Sequence, residues 1–368
     1  MSSRFLWLEP LLATICLLAS TVKLVSQPAQ LRHEVEQIIY YETNVNLKEV
    51  GLIIGILDGD STYILPFDDC EKIIPGGLSD SSVFELGGLS KVFTATICHL
   101  LARDKLIELD NVVNEYLPVA YRNKALDDVT VKSLLNHTAG IPKVPLDLGQ
   151  KISSSLDPYG EYSAADILTY YSSLARNDLN RPYTYSHLNY ALLQWIITAN
   201  TNRSIDQLFY DYISGPMTMD QSTFAVNTAV VPGYDRADRL TPTWQLDAFA
   251  GSEGMKSSMQ DLQIFIRSLM DPTHDLNRIF KNQVEEQHQI PRSKKTYTAD
   301  AWHLFRNKKY PDIYLHSGKT SGHGAMIAFV ADTRTAVVIL TNKVASMNGL
   351  GILILRMIND NWKRKKDG

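Results

Sequence analysis

The sequence predicts an α/β sandwich, an antiparallel sheet flanked by helices with a mainly helical second lobe. Three observations lead there. β-branched runs stand at both ends of the chain, helical periodicity fills the middle, and short turns join the end runs as hairpins. The chain has 368 residues, 45% hydrophobic and 21% charged, enough to bury a large core as one domain or two lobes.

The elements follow in order. "EVGLIIGILDGDSTYIL" (49–65) is β-rich and hinged at Asp58-Gly59-Asp60, a hairpin signal. "FELGGLSKVF" (84–93) reads as a strand, a tight turn and a helix opening. The helix continues through "KVFTATICHLLARDKL", with Phe93, Ile97, Leu100 and Leu101 on one face. "DDVTVKSLLNHTAGIP" begins a short helix that Gly140 and Pro142 stop. Residues 143–235 read as helical with long loops, and Ser163 with Asp166 and Ser204 with Gln207 have capping-box spacing, as does Ser258 with Asp261. "AMIAFVAD" and "TAVVILTN" form a second hairpin, and a last helix over 346–362 carries Leu350, Leu353, Ile354, Met357 and Ile358 as one stripe. The sheet lobe is expected over about 31–130 and 240–362, the helical lobe over about 131–239, and a basic tail at 363–368.

Composition excludes some functions. A net charge of -4 gives no electrostatic footprint for nucleic acid. The nine histidines are scattered, and no Cys or His pairs have zinc spacing, so neither metal nor cofactor is expected. Residues 1–30 differ from the rest: Arg4 precedes an apolar run over 11–22 that ends at Lys23. This reads as a signal peptide or an N-terminal membrane anchor, hence a secreted, periplasmic or membrane-anchored protein. Cys70 and Cys98 would then remain, as one disulfide or two separate thiols. Asn136 and Asn202 head glycosylation acceptor patterns.

The chemistry centres on Ser90 and Lys91. In S-x-x-K acylases the serine hydroxyl precedes the amine by three residues, about 300° of helix, so both share a face. Adjacent residues diverge by about 100°, so Ser90 and Lys91 alone read as an ordinary helix start.

Three further segments change that reading: "LLNHTAGIP" (134–142), "YTYSHLNYALL" (183–193) and "HSGKTSGHGAMIAFV" (316–330). With "FELGGLSK" before them, they resemble the serine β-lactamase and penicillin-binding-protein-like family, in its class C β-lactamase and esterase branch. "LLNHTAGIP" looks like the family's LL-x-HT-[SA]-G-[LI]-P, "GPMTMDQSTF" like its PLGM-x-x-T-x-F, and "GSEGMKSSMQDLQIF" like its AGGL-x-S-x-x-DL-x-x-F. The resemblance runs over about residues 35–360 and implies the family's three-layer sandwich.

It also implies roles. The family's serine nucleophile falls on Gly88 and its lysine on Lys91. Its Y-x-N motif falls on Tyr185-Ser186-His187, with Tyr185 as proton shuttle and His187 where many members have asparagine. Its Lys/His-x-Gly motif, on a sheet-edge strand, falls on His316-Ser317-Gly318. Its oxyanion hole falls on the backbone N–H groups of Gly88 and Lys319. Glycine cannot form an acyl-enzyme, so an impaired member that binds a small-molecule or peptide ligand, of amide or ester type, is expected. The alternative is an active hydrolase using Ser90 or a water activated by Lys91 and Tyr185. A serine restored at 88 is expected to bring back labelling by serine-directed probes. His323 reads as a loop residue.

Overall fold

The computed structural model describes residues 28–367 except 43–45, 47–49, 69–76, 152–153, 155, 181, 227 and 308–309. The predicted leader and Cys70 lie outside the described residues, apart from 28–30, which open a helix Pro28–Glu42. Among the described residues, no helix is long and apolar enough to cross a membrane.

An eight-stranded antiparallel sheet forms the middle layer. Its strands are β1 (Leu52–Asp58), β2 (Ser61–Phe67), β7 (His288–Gln289), β8 (Thr296–Thr298), β9 (His303–Asn307), β10 (Tyr310–Lys319), β11 (Gly324–Val330) and β12 (Thr335–Thr341), in spatial order β2-β1-β12-β11-β10-β9-β8-β7. Both expected hairpins are present: Asp58 pairs with Ser61 and Val330 with Thr335. β1 pairs with β12, from Leu52 opposite Thr341 to Asp58 opposite Thr335, and this joins the two ends of the chain. Two small ladders complete the strands: β3 (Val83–Glu85) with β6 (Lys256–Ser258), and β4 (Gly233–Tyr234) with β5 (Leu240–Thr241).

Both faces of the central strands are buried, which is why their sequence is continuously apolar rather than alternating. Ile53, Leu57, Ile327, Phe329 and Val338 face the large helical core. Ile54, Ile56, Met326, Ala328 and Ile339 face the other layer, where the Pro28–Glu42 helix and the C-terminal helix Asn348–Asp367 supply Val35, Leu350 and Ile354. Residues 363–367 of the predicted basic tail are continuous with that C-terminal helix.

Ser163 and Ser204 cap helices through reciprocal bonds with Asp166 and Gln207, as their spacing predicts. Ser258 accepts from the Asp261 N–H. Of the two glycosylation patterns, Asn202 is exposed, whereas Asn136 is 1% exposed and its Oδ1 accepts from Thr138 at 2.7 Å, so Asn136 is inaccessible.

One backbone approach positions the site. The turn 86–89, between β3 and the helix Ser90–Arg103, lies against the end of β10. An added Cβ on Gly318 would lie 2.0 Å from the Leu86 carbonyl oxygen and 2.4 Å from the Gly88 nitrogen. Gly87 has φ of 51°, and a Cβ there would meet the Lys319 carbonyl oxygen at 2.6 Å. Gly318→Ala is therefore expected to destabilise the fold by about 1–3 kcal/mol in urea denaturation. Gly349→Ala, where a Cβ meets nothing within 4 Å, is expected to be neutral or stabilising by up to about 1 kcal/mol.

Candidate active site

Lys91 has its side chain in the first turn of the Ser90–Arg103 helix and is 0% exposed. Its Nζ lies 2.6 Å from Glu253 Oε1, 3.0 Å from the Ser252 carbonyl oxygen and 3.1 Å from His187 Nδ1. Glu253 belongs to a single π-helical turn, Ala250–Gly254, and its Oε1 is also in close contact with His187 Nδ1. A lysine with no exposed surface needs such a partner, since an isolated buried charge is prohibitively costly. Burial alone would raise the Glu253 pKa, but His187 and Lys91 hold it down at about 2. Burial lowers the Lys91 pKa, and Glu253 opposes that. Glu253 is therefore a carboxylate at neutral pH, in hydrogen-bond contact with the Lys91 amine.

Tyr185 and His187 flank Ser186, the N-cap of the helix His187–Thr201. Ser186 accepts from Asn189 N–H at 3.1 Å and donates to the Pro142 carbonyl at 2.8 Å, which anchors the motif to the "HTAGIP" loop. His316 on β10 is 1% exposed. Its Nδ1 faces the Ala301 carbonyl and must donate there, while burial pushes its pKa down to about 3 and keeps the ring neutral. Nε2 is then a lone pair, and it accepts from the Tyr185 hydroxyl at 3.2 Å. Burial, with the Glu253 charge adding to it, raises the Tyr185 pKa well above a phenol's usual value. Tyr185 is thus a neutral phenol with its proton directed to His316.

Gly88 is buried where these groups meet. A Cβ added there would lie 3.0 Å from Tyr185 Oη, 3.3 Å from the Ser317 carbonyl oxygen and 3.6 Å from Glu253 Oε1. The structure therefore brings together Gly88, Lys91, Tyr185, His187 and His316, with Gly318 and Lys319 on the abutting backbone. Lys319's side chain is exposed. A cavity of about 420 Å³ opens beside Tyr185 and His316, lined also by Tyr183, His303 and Ser317.

Two expectations need correction. β10 is not an edge strand, because β9 and β11 flank it. Its register with β9 ends at Leu315 opposite His303, so the motif end, 316–319, lacks a partner on that side. Ser90 does not present a free hydroxyl: it donates to the Gly87 carbonyl at 2.6 Å and accepts from Met255 N–H at 2.9 Å, fully buried. His323 lies, as expected, in a loop, the one between β10 and β11. It is buried, with Nδ1 3.0 Å from Glu85 Oε2 and Nε2 2.8 Å from the Val231 carbonyl, in a polar knot that also takes Thr320. Cys98 is a buried thiol whose pKa burial raises.

The group that sequence reasoning missed is Glu253. Its signal was present: "SEGM" resembles "AGGL", and a carboxylate stands where that pattern has glycine. His303 was missed too. It accepts or donates at 3.2 Å with Tyr183, and burial lowers its pKa to about 4.

All of these residues fall within one comparison. The sequence profile of the family described as Beta-lactamase matches residues 56–354. The chain belongs to the β-lactamase family. Within the curated proteins it is similar to penicillin-binding protein 4* of Bacillus subtilis (strain 168), 25% identical over 319 residues, 80% of this chain and 68% of that protein. It is also similar to an unguisins hydrolase of Aspergillus campestris (strain IBT 28561), 21% identical over 340 residues, 84% of this chain and 61% of that protein. The chain thus spans about two thirds of the length of these two relatives. In fold it resembles a β-lactamase/D-alanine carboxypeptidase from Pseudomonas syringae, with a TM-score of 0.72, 19% identity, and coverage of 90% of this chain and 98% of that one. A penicillin-binding protein homologue from Pyrococcus abyssi gives 0.73 at 18% identity, covering 90% of this chain and 77% of that one. The β-lactamase fold is therefore shared at identities where sequence has largely diverged.

Two outcomes follow for this member of the β-lactamase family. His303 and His316 have pKa values depressed below the usual 6.5, to about 4 and about 3, so the unfolded chain binds protons that the native state refuses. Their contribution is intact above pH 6.5 and is lost as pH falls from 6.5 toward 4. The melting temperature should fall across that window, and His303→Asn should flatten the slope. Lys91→Ala should cost about 3–5 kcal/mol in urea denaturation by leaving Glu253 buried without its amine. Lys91→Met combined with Glu253→Leu should recover most of it.

Proposed function

We propose that the protein is a non-acylating member of the β-lactamase family that binds an amide-, ester- or peptide-type ligand in the cleft at Gly88. One observation carries this reading. The position facing Tyr185, Ser317 and Glu253 has no side chain, and the neighbouring hydroxyl of Ser90 is committed to backbone groups. Lys91 and Tyr185 stand at the positions of the family's proton-transfer groups, and His187, His316 and Gly318 shape the pocket around them.

Loss of a serine nucleophile costs roughly 10⁶ in turnover, while backbone oxyanion donors and binding retain about 10³–10⁴ over water. The donors proposed here, the N–H groups of Gly88 and Lys319, belong to the main chain and survive the loss of a side chain. Binding of a carbonyl is thereby separated from attack on it. The expected ligand is a small molecule or peptide with an amide or ester carbonyl.

The test is intact-mass measurement after incubation with a fluorophosphonate and, separately, with benzylpenicillin. The unmodified mass is expected in both cases. An adduct on the native protein would overturn the reading.

A further inference from the structure

The Gly88 substitution accounts for one missing atom, yet the pocket differs in a second way. The Lys91 amine has a carboxylate at 2.6 Å, contributed by a segment 162 residues further along the chain. We infer that Glu253 is a second block on acylation, independent of Gly88, because it holds the Lys91 amine as a paired ammonium with no lone pair to take a proton from a hydroxyl at 88. This rests on the reading of Gly88 as the nucleophile position.

The chemistry sets the requirement. When a serine attacks a fluorophosphonate, the Oγ–P bond forms, the P–F bond breaks, fluoride leaves with the bonding pair, and the serine proton must pass to a base. General-base assistance contributes about 10²–10⁴-fold. Lys91 cannot act as that base while it is an ammonium donating to Glu253 and to the Ser252 carbonyl. Tyr185 is no substitute, because its own proton goes to His316 and its phenolate is disfavoured. Glu253 lies near a side chain at 88, 3.6 Å from the Cβ position, but its Oε1 is held by Lys91 and His187. A carboxylate stabilised to that degree is a poor proton acceptor.

The sequence by itself predicts that restoring serine at 88 is sufficient; the buried carboxylate predicts that it is not. Removing Glu253 as well frees the amine. A buried lysine without a counter-charge readily loses its proton, because burial penalises the charged form. The groups facing Lys91 are Glu253, His187 and the rings of Tyr185 and Tyr190, with Lys143 and His316 acting at longer range. Once Glu253 is neutral, none of these is an anion at neutral pH.

The experiment is a square of full-length variants: native, Gly88→Ser, Glu253→Gln, and the double variant, with Gly88→Ser plus Glu253→Gly as a second double. Folding is checked by circular dichroism and melting temperature, and the rate of fluorophosphonate labelling is read by intact mass from pH 6 to 9. Gly88→Ser alone is expected to label slowly and with little pH dependence. A folded double variant is expected to label at least about 100-fold faster, with a rate that rises as the amine deprotonates. Equal rates for Gly88→Ser and the doubles would overturn the inference, as would folded doubles no faster than Gly88→Ser.

A second measurement stands apart from the doubles. In Gly88→Ser with ¹³C-labelled lysine, the Lys91 Cε shift should be that of an ammonium at pH 7; a neutral amine at pH 7 would overturn the inference. Failure of the underlying reading is seen elsewhere, as an adduct on the native protein.

Discussion

A lysine amine with no exposed surface dictates the local architecture, because every charge placed there must be answered within hydrogen-bond distance. Lys91 draws together the Ser90–Arg103 helix, the Ala250–Gly254 turn and the start of the His187–Thr201 helix. These segments are far apart in the chain, and the ammonium fixes their relative positions through Glu253, Ser252 and His187. Removing one partner strands the other in a low-dielectric interior, so the cluster is costly to dismantle piecemeal. The rest of the pocket is assembled around it: the Tyr185 and Tyr190 rings lie 5.1 and 5.7 Å from the amine.

Backbone contact supplies the other half of the scaffold. Leu86 to Leu89 and Ser317 to Lys319 approach so closely that glycine is required at 318, and glycine at 87 provides the left-handed conformation the turn needs. Ser90 then ties the turn to Met255. None of these restraints uses a side chain at position 88. The pocket can therefore keep its form with or without a hydroxyl there, which explains how motifs of a serine hydrolase persist around a glycine.

Legibility followed locality. Hairpins at 58–61 and 330–335, capping serines at 163 and 204, and the core face of Phe93 and Ile97 were readable because each depends on residues a few positions apart. Lys91, Tyr185 and His316 were readable because short motifs hold them. The β7–β9 extension was not, since strands of two to five residues carry little periodic signal; its presence is what removes β10 from the sheet edge. Nor was the partner of Lys91. Glu253 is 162 residues away, and no periodicity specifies which buried acid meets a given buried base. The glycosylation pattern at Asn136 shows the same limit: the triplet is local, but burial against Thr138 and His288 is decided by the fold.

Positions 88 and 253 also make sense together. In an acylating pocket the amine of an S-x-x-K lysine has a proton to receive, and a basic, uncompensated lysine is the condition for receiving it. With glycine at 88 there is no proton to receive, and an unpaired buried lysine becomes a liability of several kcal/mol. A carboxylate at hydrogen-bond distance removes that liability and at the same time removes the base. Strain and unpaired charge are tolerated in proteins where activity requires them, and stabilising them away ordinarily costs function. Glycine at 88 supplies no side-chain oxygen whose function could be lost. If position 88 is the nucleophile position, as proposed, Glu253 stabilises the buried amine at a place where no acylation chemistry depends on it.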